Sequence, residues 1–158
     1  ESRNKLTFAS NNQTMKKIRV SKEFSFETAH ALDMHDSKCR NIHGHSYKLT
    51  VTVLGPVITD ETKSDVGMVI DFTDLKNIVN SEVVDKLDHA LILKSDSRFK
   101  GIEAHNDKTI YVNYHPTCEN LLQEIVEVVS AKLPKDVTLV YAKMNETANS
   151  YSEWFLED

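Results

Sequence analysis

The sequence has no apolar run near the roughly 20 residues that a membrane-spanning helix needs, and no secretory pattern of charged, apolar and small residues opens it. Positive charge is not in excess. Nineteen Lys and Arg face 24 Asp and Glu, a formal net charge of −5, so long-range attraction to nucleic acid is not expected. Two cysteines, Cys39 and Cys118, are too few for a disulfide scaffold; reduced thiols in a cytoplasmic protein are the expectation. Internal repeats and low-complexity segments are also missing.

What remains is globular composition, 40% apolar and 27% charged. A length of 158 residues gives one domain a real core and is short for two of ordinary size. Residues 1–16 are polar without sustained period and read as a flexible tail, with Met15 an alternative start, ahead of a single domain over 17–158. From Ile18 to Thr28, apolar Ile18, Val20, Phe24 and Phe26 alternate with polar Arg19, Ser21, Ser25 and Glu27, as in a half-buried strand. A second strand, about His45 to Leu54, puts Tyr47, Leu49, Val51 and Val53 on one face, and Gly55-Pro56 ends it. A helix follows, capped by Asp71 or Thr73, with Leu75, Ile78, Val79, Val83 and Leu87 as its apolar stripe. A second helix opens at Pro116-Thr117, carries Leu121, Leu122, Ile125, Val128, Val129 and Leu133, and stops at Pro134. A short edge strand over Thr109 to Tyr114 precedes it, and two strands, Val137 to Met144 and Ser150 to Leu156, close the chain. The main order is strand, strand, helix, helix, strand, strand. It predicts an α+β fold with both helices on one face of a four-stranded antiparallel sheet.

Seven histidines are many for this length, and four of them fall between residues 30 and 45. His43 and His45 lie two apart, so on a strand both rings share a face, and His30 follows directly from the preceding strand. If the two strands pair as a hairpin, three imidazoles converge. Three histidines are a common catalytic zinc set, leaving one coordination position open. The alternative is three hydrogen-bonded histidines without metal. Three readings fit Cys39, four residues before His43: a fourth ligand closing a structural zinc site, an unligated thiolate acting as base or nucleophile, or a small buried residue. Lys38, Arg40 and Lys48 lie close to this cluster in sequence and suit either a phosphorylated substrate or a solvated rim.

The segment Cys39-Arg40-Asn41-Ile42-His43-Gly44-His45 resembles the C-x3-H-G-H motif of the 6-pyruvoyltetrahydropterin synthase family, and within it the bacterial 6-carboxytetrahydropterin synthases of the queuosine pathway. The likeness continues in Phe24 to His30, Gly67 to Phe72, Leu87-Asp88-His89, Pro116 to Asn120 and Glu146-Thr147, in the family's order, over about residues 18–155. The resemblance implies a tunnelling fold, a four-stranded sheet with two helices on one side, built into trimers and stacked into a homohexamer with active sites between subunits. It implies zinc on His30, His43 and His45, catalysis by Cys39 as an unligated thiolate, and an acid/base pair Asp88–His89. Glu146, Glu119 and Thr117 become substrate-binding residues. By sequence alone, Asp88-His89 is a helix-terminus charge effect, Glu119 a favourable acid in a helix turn capped by Thr117, and Glu146 an exposed loop acid.

The implied reaction converts 7,8-dihydroneopterin triphosphate to 6-carboxytetrahydropterin, acetaldehyde and triphosphate; the rival is triphosphate elimination to the 6-pyruvoyl product. The three-residue gap between Cys39 and His43, and Asp71-Phe72, resemble the carboxy-forming branch. A non-catalytic zinc or ligand-binding module, closed by one cysteine and three histidines, is the alternative outside enzymes. Cys118 reads as packing, residues 57–65 and 98–107 as variable loops, and His35, His105 and His115 as surface or structural.

Overall fold

The structure, a computed structural model, describes residues 16–157. The expected tail therefore lies outside the described residues, apart from Lys16. Strands β1 (Lys17–His30) and β2 (His43–Pro56) form a long antiparallel hairpin. Alternation buries Phe24, Phe26, Thr28 and His30 of β1 against one face, and Tyr47, Leu49, Val51 and Val53 of β2 beside them. The register sets Phe26 opposite Tyr47, with ring centroids 5.5 Å apart, and His30 opposite His43. Both strands are longer than the sequence pattern indicated, and the added residues include His30 and His43.

Two helical segments cover this face. Helix α1 (Phe72–Val79) continues through a π-helical turn, Asn80–Val84, into α2 (Asp85–Leu87), making one rod. Asp71 caps it by accepting a hydrogen bond from the Thr73 N–H at 2.6 Å. Leu75, Val79 and Val83 of the predicted stripe are fully buried. Helix α3 (Cys118–Ser130) is capped by Thr117, whose hydroxyl accepts from the Asn120 N–H, and buries Leu121, Leu122, Ile125, Val126 and Val129. Among the described residues, no helix is long and apolar enough to cross a membrane.

The sheet departs from the expected four antiparallel strands. It has six, in the order β4-β3-β1-β2-β5-β6, and it is mixed. Strands β5 (Thr138–Asn145) and β6 (Tyr151–Phe155) extend the hairpin antiparallel, as expected. Strand β3 (Ala90–Lys94) runs parallel to β1, and edge strand β4 (Thr109–Val112) parallel to β3. The sequence hid β3 because Ala90, Leu91, Ile92 and Leu93 are all buried, leaving no alternation to see. Ile92 joins the main core. Leu91 and Leu93 pack with Ala31 and, from the following segment, Phe99, Ile102 and Tyr111. The loop expected to be variable thus covers the second face of β3.

At the far end of the hairpin, Gly55 is required by close approach. A Cβ there would lie 2.9 Å from a Val69 methyl carbon and 3.0 Å from the Asp136 carbonyl oxygen. Overpacking against backbone costs about 1–3 kcal/mol, so Gly55→Ala is expected to lower unfolding stability by that amount in urea titrations.

Candidate active site

The β1–β2 register brings three imidazoles together at the loop end of the hairpin. His30 Nε2 lies 3.0 Å from His43 Nε2, and one ligand atom from each of His30, His43 and His45 falls within 4.8 Å of the others. Two tautomers are fixed by carbonyl acceptors. His30 Nδ1–H donates to the Pro116 oxygen at 2.7 Å, and His43 Nδ1–H to the Asn41 oxygen at 2.8 Å. In the neutral rings, both Nε2 atoms then present lone pairs to each other at hydrogen-bond distance. A shared cation relieves that repulsion. His45 Nε2 is buried without a hydrogen-bond partner, a third nitrogen aimed at the same place. Burial pushes the pKa of His30 and His45 below the ordinary imidazole value, favouring the neutral form that binds metal. These residues can hold a metal ion, and the donor set suits one.

The same shifts set a pH dependence. The unfolded chain takes up protons on these rings near pH 6.5, and the folded metal-free protein does so only at lower pH. Stability from this source is therefore full above pH 6.5 and lost as the pH falls below it. Thermal melts of the metal-stripped protein between pH 8 and 5 are expected to show a decline that is weaker in His30→Gln.

A cavity of about 340 Å³ adjoins the centre, lined by Cys39, Thr117, Glu119 and Glu146, with His35 and Tyr151 on its wall. Glu146 connects cavity and centre. Its Oε1 lies 3.8 Å from His30 Nε2 and 3.7 Å from His45 Nε2, and accepts a hydrogen bond from the Tyr47 hydroxyl at 3.2 Å. Burial first, then the Glu146 charge, push the Tyr47 pKa upward, so the hydroxyl stays a donor. Glu146 is thus half-buried and engaged, unlike the exposed loop acid its local sequence suggests. Glu119 is exposed in the first turn of α3. Cys39 sits half-buried on a 3-10 turn, Lys38–Arg40, as a free thiol, and does not belong to the cluster of converging ligand atoms. Cys118 is buried, with its Sγ 3.4 Å from the Met144 oxygen and its pKa raised by burial, as suits packing.

Asp88 and His89 do not line this cavity. They lie after α2, where His89 borders a separate, open cavity with Glu27, Gly44 and Ser46. Asp88 Oδ2 is 2.9 Å from His89 Nδ1, and Oδ1 accepts from the Glu27 N–H at 2.8 Å. The Glu27 N–H first, and the His89 ring second, hold the Asp88 carboxyl below its usual pKa. Lys108 Nζ donates to the Asp85 and Asp88 carbonyls, taking the helix-terminus role that sequence alone gave to His89. His89 is instead held at φ 59°, with its side chain 78% exposed. Such a strained backbone at a non-glycine residue is characteristic of functional positions.

Of the three basic residues near the cluster in sequence, Lys48 points away. It alternates with buried Tyr47 and Leu49, and pairs with Glu23 at 2.9 Å on the opposite sheet face. Sequence reasoning also missed Tyr47, His35 and Tyr151. For Tyr47 a signal existed: a phenol on an otherwise aliphatic buried face needs a partner for its hydroxyl.

The sequence profile of the family described as 6-pyruvoyl tetrahydropterin synthase matches residues 19–156. A Haemophilus influenzae protein named 6-carboxy-5,6,7,8-tetrahydropterin synthase is 38% identical over 144 residues, covering 87% of this chain and 98% of the relative. Caenorhabditis elegans 6-pyruvoyl tetrahydropterin synthase superposes with a TM-score of 0.64 at 25% identity, over 90% of this chain and 98% of that one. An uncharacterized protein from Wolinella succinogenes shares the fold at a TM-score of 0.72 and 21% identity, over 90% and 99% of the two chains.

Proposed function

Because the chain belongs to the 6-pyruvoyl tetrahydropterin synthase family, we propose that it is a zinc-dependent 6-carboxytetrahydropterin synthase. It converts 7,8-dihydroneopterin triphosphate and one water to 6-carboxy-5,6,7,8-tetrahydropterin, acetaldehyde and triphosphate, serving queuosine formation in the cytoplasm. The observation that carries this reading is the three-histidine centre opening onto a cavity with two carboxylates and an unligated thiol.

His30, His43 and His45 would hold the zinc, which when bound supplies a Lewis acid that lowers the pKa of the substrate's side-chain hydroxyls. Glu146 and Glu119 bind the pterin. Its amino group and adjacent ring N–H point in parallel, and one carboxylate accepts both. Thr117 spends its hydroxyl on the α3 cap and so fixes where Glu119 projects. Cys39, as thiolate, takes a proton from the substrate side chain. His89, oriented by Asp88, acts as the second acid/base group. Since Asp88 and His89 lie outside the Cys39 cavity of their own chain, this role needs a neighbouring subunit, consistent with a homohexamer whose sites lie between subunits. Among the described residues, both outer strands, β4 and β6, have a free edge on which further copies can pair.

Similarity to the nematode enzyme favours one second reading, 6-pyruvoyl tetrahydropterin formation. Acetaldehyde separates the two. Incubation with dihydroneopterin triphosphate is expected to release acetaldehyde stoichiometrically with triphosphate, detected by coupled NADH oxidation. Triphosphate release with a pyruvoyl product and no acetaldehyde reverses the choice. A closed zinc module is disfavoured by the place of Cys39 outside the ligand cluster; a sulfur at bonding distance in X-ray absorption spectra would restore it.

A further inference from the structure

We propose that Arg98 is a positioning residue that clamps the β1–β2 loop, fixing Cys39 and the metal ligand His43 together. The proposal rests on the roles given above to those two residues. Arg98 comes from the segment after β3, distant in sequence from Cys39 and the three histidines. Its root is firm. Ser97 is buried, its N–H donates to the Lys94 carbonyl at 2.9 Å, and its hydroxyl accepts from the Phe99 N–H at 3.2 Å. The guanidinium lies over the Phe99 ring, 4.5 Å from the centroid, and Phe99 packs on the small cluster behind β3.

From there the side chain spans to the loop and meets it at three residues. Nη2 donates to the Arg40 carbonyl at 2.8 Å and to Asn41 Oδ1 at 3.2 Å. Nε stands 3.3 Å from Asp33 Oδ1. Asp33 lies before Cys39, and Arg40 directly follows it, so the contacts bracket the thiol. The link continues to the metal centre, because the carbonyl of the same Asn41 accepts from His43 Nδ1. That bond selects the tautomer that turns His43 Nε2 toward the centre. Among the described residues, Arg98 is the one side chain from outside the loop, besides the adjoining His43, that hydrogen-bonds to residues 31–42; the loop's other ties are short-range, such as Leu32 N–H to the Cys39 carbonyl at 2.9 Å.

Two physical features distinguish this from an ordinary surface ion pair, which contributes little. Both carboxylate oxygens of Asp33 are shielded from solvent and, among the described residues, have no hydrogen-bond partner, so the Arg98 guanidinium 3.3 Å away is the counter-charge this half-buried acid has. The contacts also diverge, and a planar guanidinium donates to the Arg40 and Asn41 oxygens while setting its charge beside Asp33; a lysine supplies charge at one point. Charge and geometry can therefore be tested separately.

The test uses the full chain purified with its metal, as wild type, Arg98→Ala and Arg98→Lys. Iodoacetamide alkylation of Cys39 is followed by peptide mass spectrometry, with buried Cys118 as internal reference. Metal content, kcat and KM are measured on the same samples. In Arg98→Ala, Cys39 is expected to react severalfold faster while Cys118 keeps its wild-type rate. Metal is retained, and kcat falls about 10-fold or more with KM little changed, the usual size for loss of a supporting contact. Arg98→Lys retains the charge for Asp33 yet shows the same faster alkylation. Should Arg98→Ala fail to fold, Arg98→Lys carries the decision. Wild-type alkylation of Cys39 in a folded variant overturns the clamp, and so does equal acceleration of Cys118, which signals general loosening. If the wild type turns over no pterin, the functional reading fails, while the alkylation rates still decide the role of Arg98.

Discussion

His43→Ala is expected to yield a folded protein without bound metal and without turnover. His43 lies at the tip of the hairpin, half-exposed, so its removal takes little from the core. It does take one of three converging nitrogens and leaves His30 Nε2 facing a void where a nitrogen stood 3.0 Å away. The neighbouring carboxylate, Glu146, is tied to Tyr47 and approaches only His30 and His45 closely, at 3.8 and 3.7 Å. A two-histidine remnant holds a divalent ion poorly. Metal catalysis supplies several kcal/mol of transition-state stabilisation, and each 1.36 kcal/mol is tenfold in rate. Turnover should therefore fall by about 10³-fold or more. Elemental analysis of the purified variant beside a kinetic assay checks both halves. Retained metal at wild-type stoichiometry would remove His43 from the ligand set.

The histidine cluster was legible in the sequence because it depends on two short-range rules. Alternation puts His43 and His45 on one face, and a hairpin sets His30 against them; the observed pairing of His30 with His43 follows both. The helices were legible for a similar reason, through stripe and cap. What escaped lies where the local pattern is silent. Strand β3 is buried on both faces and has no period. The engagement of Glu146 with His30, His45 and Tyr47 joins residues about a hundred positions apart, and no spacing encodes it. Arg98 sits in a segment that looked dispensable, and its contacts depend on how the loop after β3 folds back over the sheet. The resemblance set Cys39 against the Asp88–His89 pair of a neighbour, but the parallel crossover into β3 that follows this pair was absent from the predicted all-antiparallel sheet. Local chemistry was thus readable from the chain, and the relations between distant groups needed the fold.

Cys39→Ala is expected to give the opposite pattern from His43→Ala, full metal occupancy with turnover reduced about 10²- to 10⁴-fold, the range for losing a positioned acid/base group. The side chain is half-buried, stands on a 3-10 turn beside the cavity of about 340 Å³, and does not belong to the cluster of metal-directed atoms. Its backbone carbonyl, bonded to the Leu32 N–H at 2.9 Å, holds the turn, and that bond survives truncation of the side chain. The loop should therefore keep its shape, and the loss should fall on kcat more than on KM, because the proposed ring anchors, Glu146 and Glu119, are untouched. The paired variants separate three roles for the sulfur. A ligand would carry the metal away with it; a packing residue would leave turnover intact; a base leaves the metal in place and the reaction stalled. Metal analysis and kinetics on the two variants, prepared side by side, decide among them. Normal turnover by Cys39→Ala would move the proton-transfer step to another group on the cavity wall, where His35 is the imidazole.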